Sequence, residues 1–158
     1  MRPTFGNRQK LAVLAGFGSA AMLIAAFGFQ AMGYAPCKLC LWQRWPHGIA
    51  FAIGLIFAFG ARSRGLAILG ALAAAATGAL GIYHAGVELG WWIGPSTCTS
   101  KDISGLSSEE LLNQILAAPL VRCDEIAWQF LGLSMASWNA ILSFTLMAVW
   151  IAASRTRD

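Results

Sequence analysis

The sequence predicts an all-α membrane protein, a four-transmembrane-helix bundle with a short amphipathic interfacial helix in its second outer loop. Three observations predict it. Of the 158 residues, 58% are hydrophobic and only 11% charged, where a soluble globular domain carries roughly 25% charged residues. Four apolar stretches are each long enough to cross a bilayer, which takes about 20 residues. The basic residues crowd one set of span ends. The whole chain, 1–158, reads as a single integral membrane domain, with no soluble domain, repeat or low-complexity tail. The net charge of +4 is accounted for by topology, so nucleic acid is not expected as a partner.

The spans follow in order. Residues 11–29 contain no charge and read as an uncleaved helix, because the run is too long and its cleavage signal too poor for a signal peptide. Residues 41–61 are apolar apart from Arg44 and His47 near the start. Residues 65–87 carry His84, and the Ala and Gly residues from Leu72 to Gly81 suit close helix packing in lipid. Residues 126–153 are long and uncharged. Loops are expected at about 30–45 and 88–130.

Arg2, Arg8, Lys10, Arg62, Arg64, Arg155 and Arg157 lie at the termini and the middle turn. Lys38, Arg44, Lys101 and Arg122 lie in the other two loops. By the positive-inside rule the termini and the Arg62–Arg64 turn are cytoplasmic and the four cysteines lie outside, where disulfides persist. Within the second outer loop, Ser107-Ser108-Glu109-Glu110 reads as a capping box with Ser107 as cap. Leu111, Leu112, Ile115 and Leu116 then form an apolar face and Pro119 ends the helix. Such a helix lies on the membrane surface, as an anchor or as a moving tether for the loop.

The chemistry centres on the cysteines. Cys37-Lys38-Leu39-Cys40 is a Cys-x-x-Cys pair; Cys98 and Cys123 are far apart in sequence. A two-residue spacer closes too small a loop to staple a fold effectively. A four-cysteine zinc site usually offers two close pairs, and a c-type haem would want His where Leu41 stands, so no metal is expected. Redox chemistry is the leading reading. Cys40 falls at the start of a helix, where the N-terminus favours a thiolate. Arg44, one turn on, is either an interfacial anchor or a fixed positive charge beside Cys40. His84, with Glu88 one turn further, is either a satisfied interfacial histidine or a partner for a head group or proton. His47 is a weaker candidate on the same logic. Trp42, Trp45, Trp91 and Trp92 suit the aromatic belt, and some could line a pocket for a flat ring.

Four spans, Cys37-Lys38-Leu39-Cys40 with Gln43-Arg44 behind it, Tyr83-His84-Ala85-Gly86-Val87-Glu88, and Cys123-Asp124-Glu125 to Trp128-Gln129-Phe130-Leu131-Gly132-Leu133-Ser134-Met135 closely resemble the DsbB family. The resemblance covers essentially the whole chain. It implies a multi-pass protein of the bacterial inner membrane that reoxidises a periplasmic DsbA-like thioredoxin-fold oxidase and passes the electrons to the membrane quinone pool. It implies that Cys98 and Cys123 meet the partner, with Cys98 in the mixed disulfide, and that Cys123 then exchanges with Cys37. Cys40 is left beside the quinone (ubiquinone or menaquinone), Arg44 holds that quinone, and His84 lies near its ring. The segment Trp91-Trp92-Ile93-Gly94-Pro95 departs from the family pattern.

The expected function is therefore a protein-dithiol:quinone oxidoreductase that supports disulfide bond formation. One rival is a quinone-linked thiol enzyme of the vitamin K epoxide reductase type, in which the Cys-x-x-Cys comes late in the chain. Another is a membrane subunit whose disulfides only stiffen its loops. A relay carrying reductant outward would need cysteines within the spans or facing the cytoplasm.

Overall fold

The computed structural model describes residues 6–96, 98, 107–117 and 121–156. The chain is mostly helical: α1 (Asn7–Ala31), α2 (Lys38–Ala58), α3 (Arg64–Glu88), α4 (Ser108–Ala117), a two-stranded hairpin β1 (Gln129–Phe130) and β2 (Leu133–Ser134), and α5 (Met135–Arg155). Helices α1, α3 and α5 are long and apolar enough to cross a membrane. Helix α2 has the same 21-residue length as α5, but Gln43, Arg44 and His47 dilute its first half. The four long helices pack in a ring, α1 on α2, α2 on α3, α3 on α5 and α5 back on α1.

Small residues let the helices approach. A Cβ on Gly16 of α1 would lie 2.5 Å from the Gly54 Cα of α2, and one on Gly81 of α3 would lie 2.9 Å from the Ala140 nitrogen of α5. Gly70 is covered by the Trp150 indole, which a Cβ would meet at 2.6 Å. Trp150 and Phe57 are fully buried among Ala12, Ala15, Ala67 and Ala74 at one end of the bundle. Arg8 closes that end: its guanidinium donates to the Arg62 carbonyl at 2.6 Å and to the Thr156 carbonyl. The start of α1, the α2–α3 turn and the end of α5 therefore meet there. The cysteines cluster elsewhere, with Leu39 and Val87.

Two boundaries differ from the sequence expectation. Helix α2 stops at Ala58, and Gly60 turns the chain with φ of 108°. The last long helix begins at Met135 instead of residue 126. Leu131 and Gly132 both take positive φ, 52° and 76°, which makes a tight hairpin turn. Ser134 then caps α5 by accepting from the Ser137 N–H at 3.2 Å. Apolar composition alone does not register a turn that bends an apolar segment back on itself.

The expected capping box is present. The Ser107 N–H donates to Glu110 Oε2 at 2.9 Å and the Glu110 N–H to Ser107 Oγ at 3.3 Å. Leu112 and Leu116 of α4 are exposed. Arg2, Lys101, Pro119 and Arg157, and the side chains of Leu111 and Ile115, lie outside the described residues.

Candidate functional site

Cys37 is the N-cap of α2. Its sulfur takes the place that a serine or aspartate oxygen usually fills, accepting from the Cys40 N–H at 3.3 Å. One turn of helix brings the two sulfurs to 3.2 Å, within S–H···S hydrogen-bonding distance. Either thiol could hold the shared proton. Cys37 already accepts from a backbone N–H and lies 3.5 Å from His84 Nε2, so the proton belongs on Cys40. The Cys40 hydrogen bond, and after it His84, hold the Cys37 thiol far below its ordinary value, at about 4, against the opposing effect of burial. The sequence reading put the thiolate on Cys40 from its place near the helix start. The structure favours Cys37, because the cap position collects the donors.

Cys98 and Cys123 are joined in a disulfide with Cα atoms 5.3 Å apart, and the Cys123 N–H donates to the Cys98 carbonyl at 2.6 Å. Both are buried in one cluster with Cys37, Leu39 and Val87, and Cys40, Tyr83 and Val121 pack against it. The two pairs, far apart in the chain, are thus neighbours. His84, on the last turns of α3, stands between them. Its Nε2 lies 3.5 Å from the Cys37 sulfur, and the Cys123 backbone borders the ring. Glu88, one turn on, brings Oε1 to 3.8 Å from His84 Nε2, and its Oε2 is buried without a hydrogen-bond partner.

Beside the dithiol is a cavity of about 420 Å³. Met22, Leu23, Phe29, Trp138 and Leu142 give it an apolar lining, and Cys37, Cys40, Arg44, His47, His84 and Glu88 open onto it. All the expected site residues except Cys98 and Cys123 therefore share its wall. Arg44 is turned toward α1: it donates to Gln30 Oε1 at 2.8 Å and to the Ala26 carbonyl at 3.4 Å, and its guanidinium covers the Phe27 ring at 4.7 Å. Its Nε is buried without a partner. His47 is buried and bonded through Nε2 to Asn139 Oδ1 at 2.9 Å.

Two residues here escaped the sequence reading as site residues. Gln43 bonds His84 Nδ1 at 3.0 Å, and Asn139 of α5 bonds Gln43 Oε1 at 2.6 Å. The available signal was polarity: an Asn within an apolar span is costly unless it is paired.

Cys37, Cys40 and His84 present their ligand atoms within 4.8 Å of one another, close enough to surround a metal ion. The same closeness suits thiol chemistry, and the Cys98–Cys123 disulfide lies in the same buried cluster as Cys37.

The family model "Disulfide bond formation protein DsbB" matches residues 8–153. "Disulfide bond formation protein B" of Pasteurella multocida is 31% identical over 153 residues, covering 89% of this chain and 84% of the relative. The protein of the same name in Marinobacter nauticus is 33% identical over 140 residues, 82% of this chain and 81% of its own. That of Polaromonas sp. is 29% identical over 156 residues, 92% of this chain and 90% of its own. No solved structure matches the chain significantly. With two cysteine pairs packed side by side and a match across nearly its whole length, the chain belongs to the DsbB family, oxidoreductases that act on disulfides.

Proposed function

We propose that this protein reoxidises a periplasmic DsbA-like dithiol and passes the electrons to membrane quinone. The observation that carries this reading is the burial of the Cys98–Cys123 disulfide in one cluster with Cys37, next to an apolar cavity onto which Cys37 and Cys40 open. In this reading α2 is a fourth span of an inner-membrane bundle and α4 lies on the outer surface. The end closed by Arg8 is cytoplasmic and the cysteine end is periplasmic.

Each step is a thiolate attack on a disulfide. A thiolate of the partner attacks Cys98 Sγ; a partner–Cys98 bond forms, the Cys98–Cys123 bond breaks, and Cys123 leaves with the electron pair. The partner's second thiolate then attacks its own sulfur in the mixed disulfide and releases Cys98 as a thiolate. Cys123 attacks Cys37 of an oxidised Cys37–Cys40 pair and releases Cys40 as a thiolate. Cys98 in turn attacks Cys123, restoring their disulfide and releasing Cys37. The Cys37/Cys40 dithiol then holds the partner's two electrons.

The cavity residues fit a quinone: a flat apolar wall from Phe29 and Trp138, the Cys40 sulfur, and donors on Arg44. When bound, the quinone accepts two electrons and two protons. Arg44 would orient it, and Cys40 would face it. His84 and His47 would border its polar side.

The test is to mix purified protein with a reduced thioredoxin-fold dithiol oxidase and either a ubiquinone or a menaquinone analogue, following both reactants. The two should be consumed in equal amounts. Partner oxidation without quinone reduction would refute the quinone step. Cysteines that exchange with neither would point to the purely structural rival.

A further inference from the structure

The polar side chains around His84 form one continuous chain whose donors all point the same way. Asn139 Oδ1 can only accept, so the 2.9 Å contact makes His47 Nε2 the donor. The Asn139 amide then donates to Gln43 Oε1 at 2.6 Å. The Gln43 amide donates to His84 Nδ1 at 3.0 Å. With Nδ1 occupied as an acceptor, a neutral His84 carries its proton on Nε2, which lies 3.5 Å from Cys37 Sγ.

Two backbone carbonyls fix this direction. The Gln43 amide also donates to the Leu39 carbonyl at 3.2 Å, and the Asn139 amide to the Thr77 carbonyl at 3.3 Å. Flipping either amide would set oxygen against oxygen. The chain runs through three helices, α2, α3 and α5, and His47, Gln43 and His84 are all buried. Hydrogen bonds in such a series polarise one another, more so away from water.

We propose that the series His47–Asn139–Gln43–His84 is a built-in device that holds the Cys37 sulfur as the thiolate, with Gln43 and Asn139 as positioning residues acting through His84. This deepens the electron route proposed above and rests on it for its purpose. When Cys98 attacks Cys123 in the Cys37–Cys123 bond, the Cys98–Cys123 bond forms and the electron pair leaves on Cys37. A thiol that is stable as its anion leaves faster. The other groups facing Cys37 are the Cys40 thiol from α2, Glu88 and His84 from α3, the Cys98–Cys123 disulfide, and Tyr83 packed on the cluster. Glu88 opposes the thiolate, which makes a donor at His84 Nε2 the more necessary.

The experiment uses the full-length protein in detergent with Cys40→Ser, where Cys37 is the one free thiol while Cys98–Cys123 stays oxidised. Thiolate ultraviolet absorbance against pH then reports Cys37 alone, with neither partner nor quinone added, so its outcome is separate from that of the electron route. The midpoint should lie below the ordinary thiol range. Gln43→Leu removes the bond that selects the His84 tautomer, and should cut the thiolate fraction at a fixed pH below the midpoint by about tenfold or more. Asn139→Leu should move it less, and His47→Leu least, in the same direction. Gln43→Met, close to glutamine in shape, removes the same donor while filling the space and should raise the midpoint even if the leucine variants fold poorly. Equal midpoints in all variants would overturn the proposal. So would a Thr77→Val shift as large as that of Asn139→Leu, or a midpoint in Gln43→Met as low as with Gln43 in place.

Discussion

Replacing Arg44 with Ala tests the cavity as the quinone site. The guanidinium has five N–H donors, and in the structure it gives one to Gln30 at 2.8 Å and one to the Ala26 carbonyl at a weak 3.4 Å. Its Nε lies buried with no partner, while the residue lines the same cavity as Cys40. A hydrogen bond from a charged donor contributes about 1.5–3 kcal/mol, so losing one to a quinone oxygen should raise the apparent KM for quinone roughly ten- to hundredfold. The assay is steady-state reduction of a quinone analogue at saturating dithiol partner, with single-turnover exchange between partner and Cys98–Cys123 measured in parallel. The first should weaken and the second persist. Arg44→Lys should fall between, since lysine keeps the charge but not the planar fork over Phe27. An unchanged quinone dependence in Arg44→Ala would mean that Arg44 only ties α2 to α1.

A partner lacking its second cysteine should accumulate a partner–Cys98 mixed disulfide with the otherwise intact protein, seen as a reductant-sensitive band that Cys98→Ser abolishes, because its thiolate breaks the Cys98–Cys123 bond and no second partner thiolate remains to release Cys98; a band that persists in Cys98→Ser and is lost in Cys37→Ser would reverse the assignment of the two pairs. Gly54→Val places a side chain where a Cβ would already lie 2.7 Å from the Gly16 Cα, so α1 and α2 must part. Overpacking of this kind costs about 1–3 kcal/mol, and the melting temperature should drop; an unchanged melt would refute the close α1–α2 contact. Cys37, Cys98 and Cys123 are buried and Cys40 is half-buried, so topology is better read from added cysteines. Ile93→Cys, at a position 90% exposed, should react with a membrane-impermeant thiol reagent in intact cells, and Ser63→Cys only after permeabilisation; the opposite pattern would invert the protein.

The helices were legible because an apolar run of membrane length has few alternatives, and α1 and α3 fall where the runs lie. The start of α5 was not, since Ile126 to Ser134 is apolar enough to read as span and its turn depends on the backbone of two residues, Leu131 and Gly132. The capping box at Ser107 was readable because cap and partner are three residues apart. At the site, the cysteines, Arg44 and His84 stand out by residue type. Their grouping does not: Cys37 and Cys123 meet only through the fold, and nothing local to Asn139 indicates that it faces Gln43, 96 residues away in the chain. Helix position and the charge of Arg44 one turn on both point to Cys40 as the thiolate, and neither rule sees a sulfur taking the cap itself.

The first half of α2 shows why fold and chemistry are inseparable here. A helix carrying Gln43, Arg44 and His47 is a poor membrane span by composition, because each polar group left unpaired in the hydrocarbon is costly. In the bundle each finds a partner on another helix: Arg44 on Gln30 of α1, Gln43 on His84 of α3, and His47 on Asn139 of α5. Thr77 of α3 adds a bond to the Gln43 carbonyl at 3.1 Å. These bonds let α2 lie among its neighbours, and they also fix the orientation of His84 against Cys37 and the direction of Arg44. The polarity that weakens α2 as a span is therefore the means by which three other helices position one cysteine pair. A purely apolar α2 would insert more readily and would leave the dithiol without its donors.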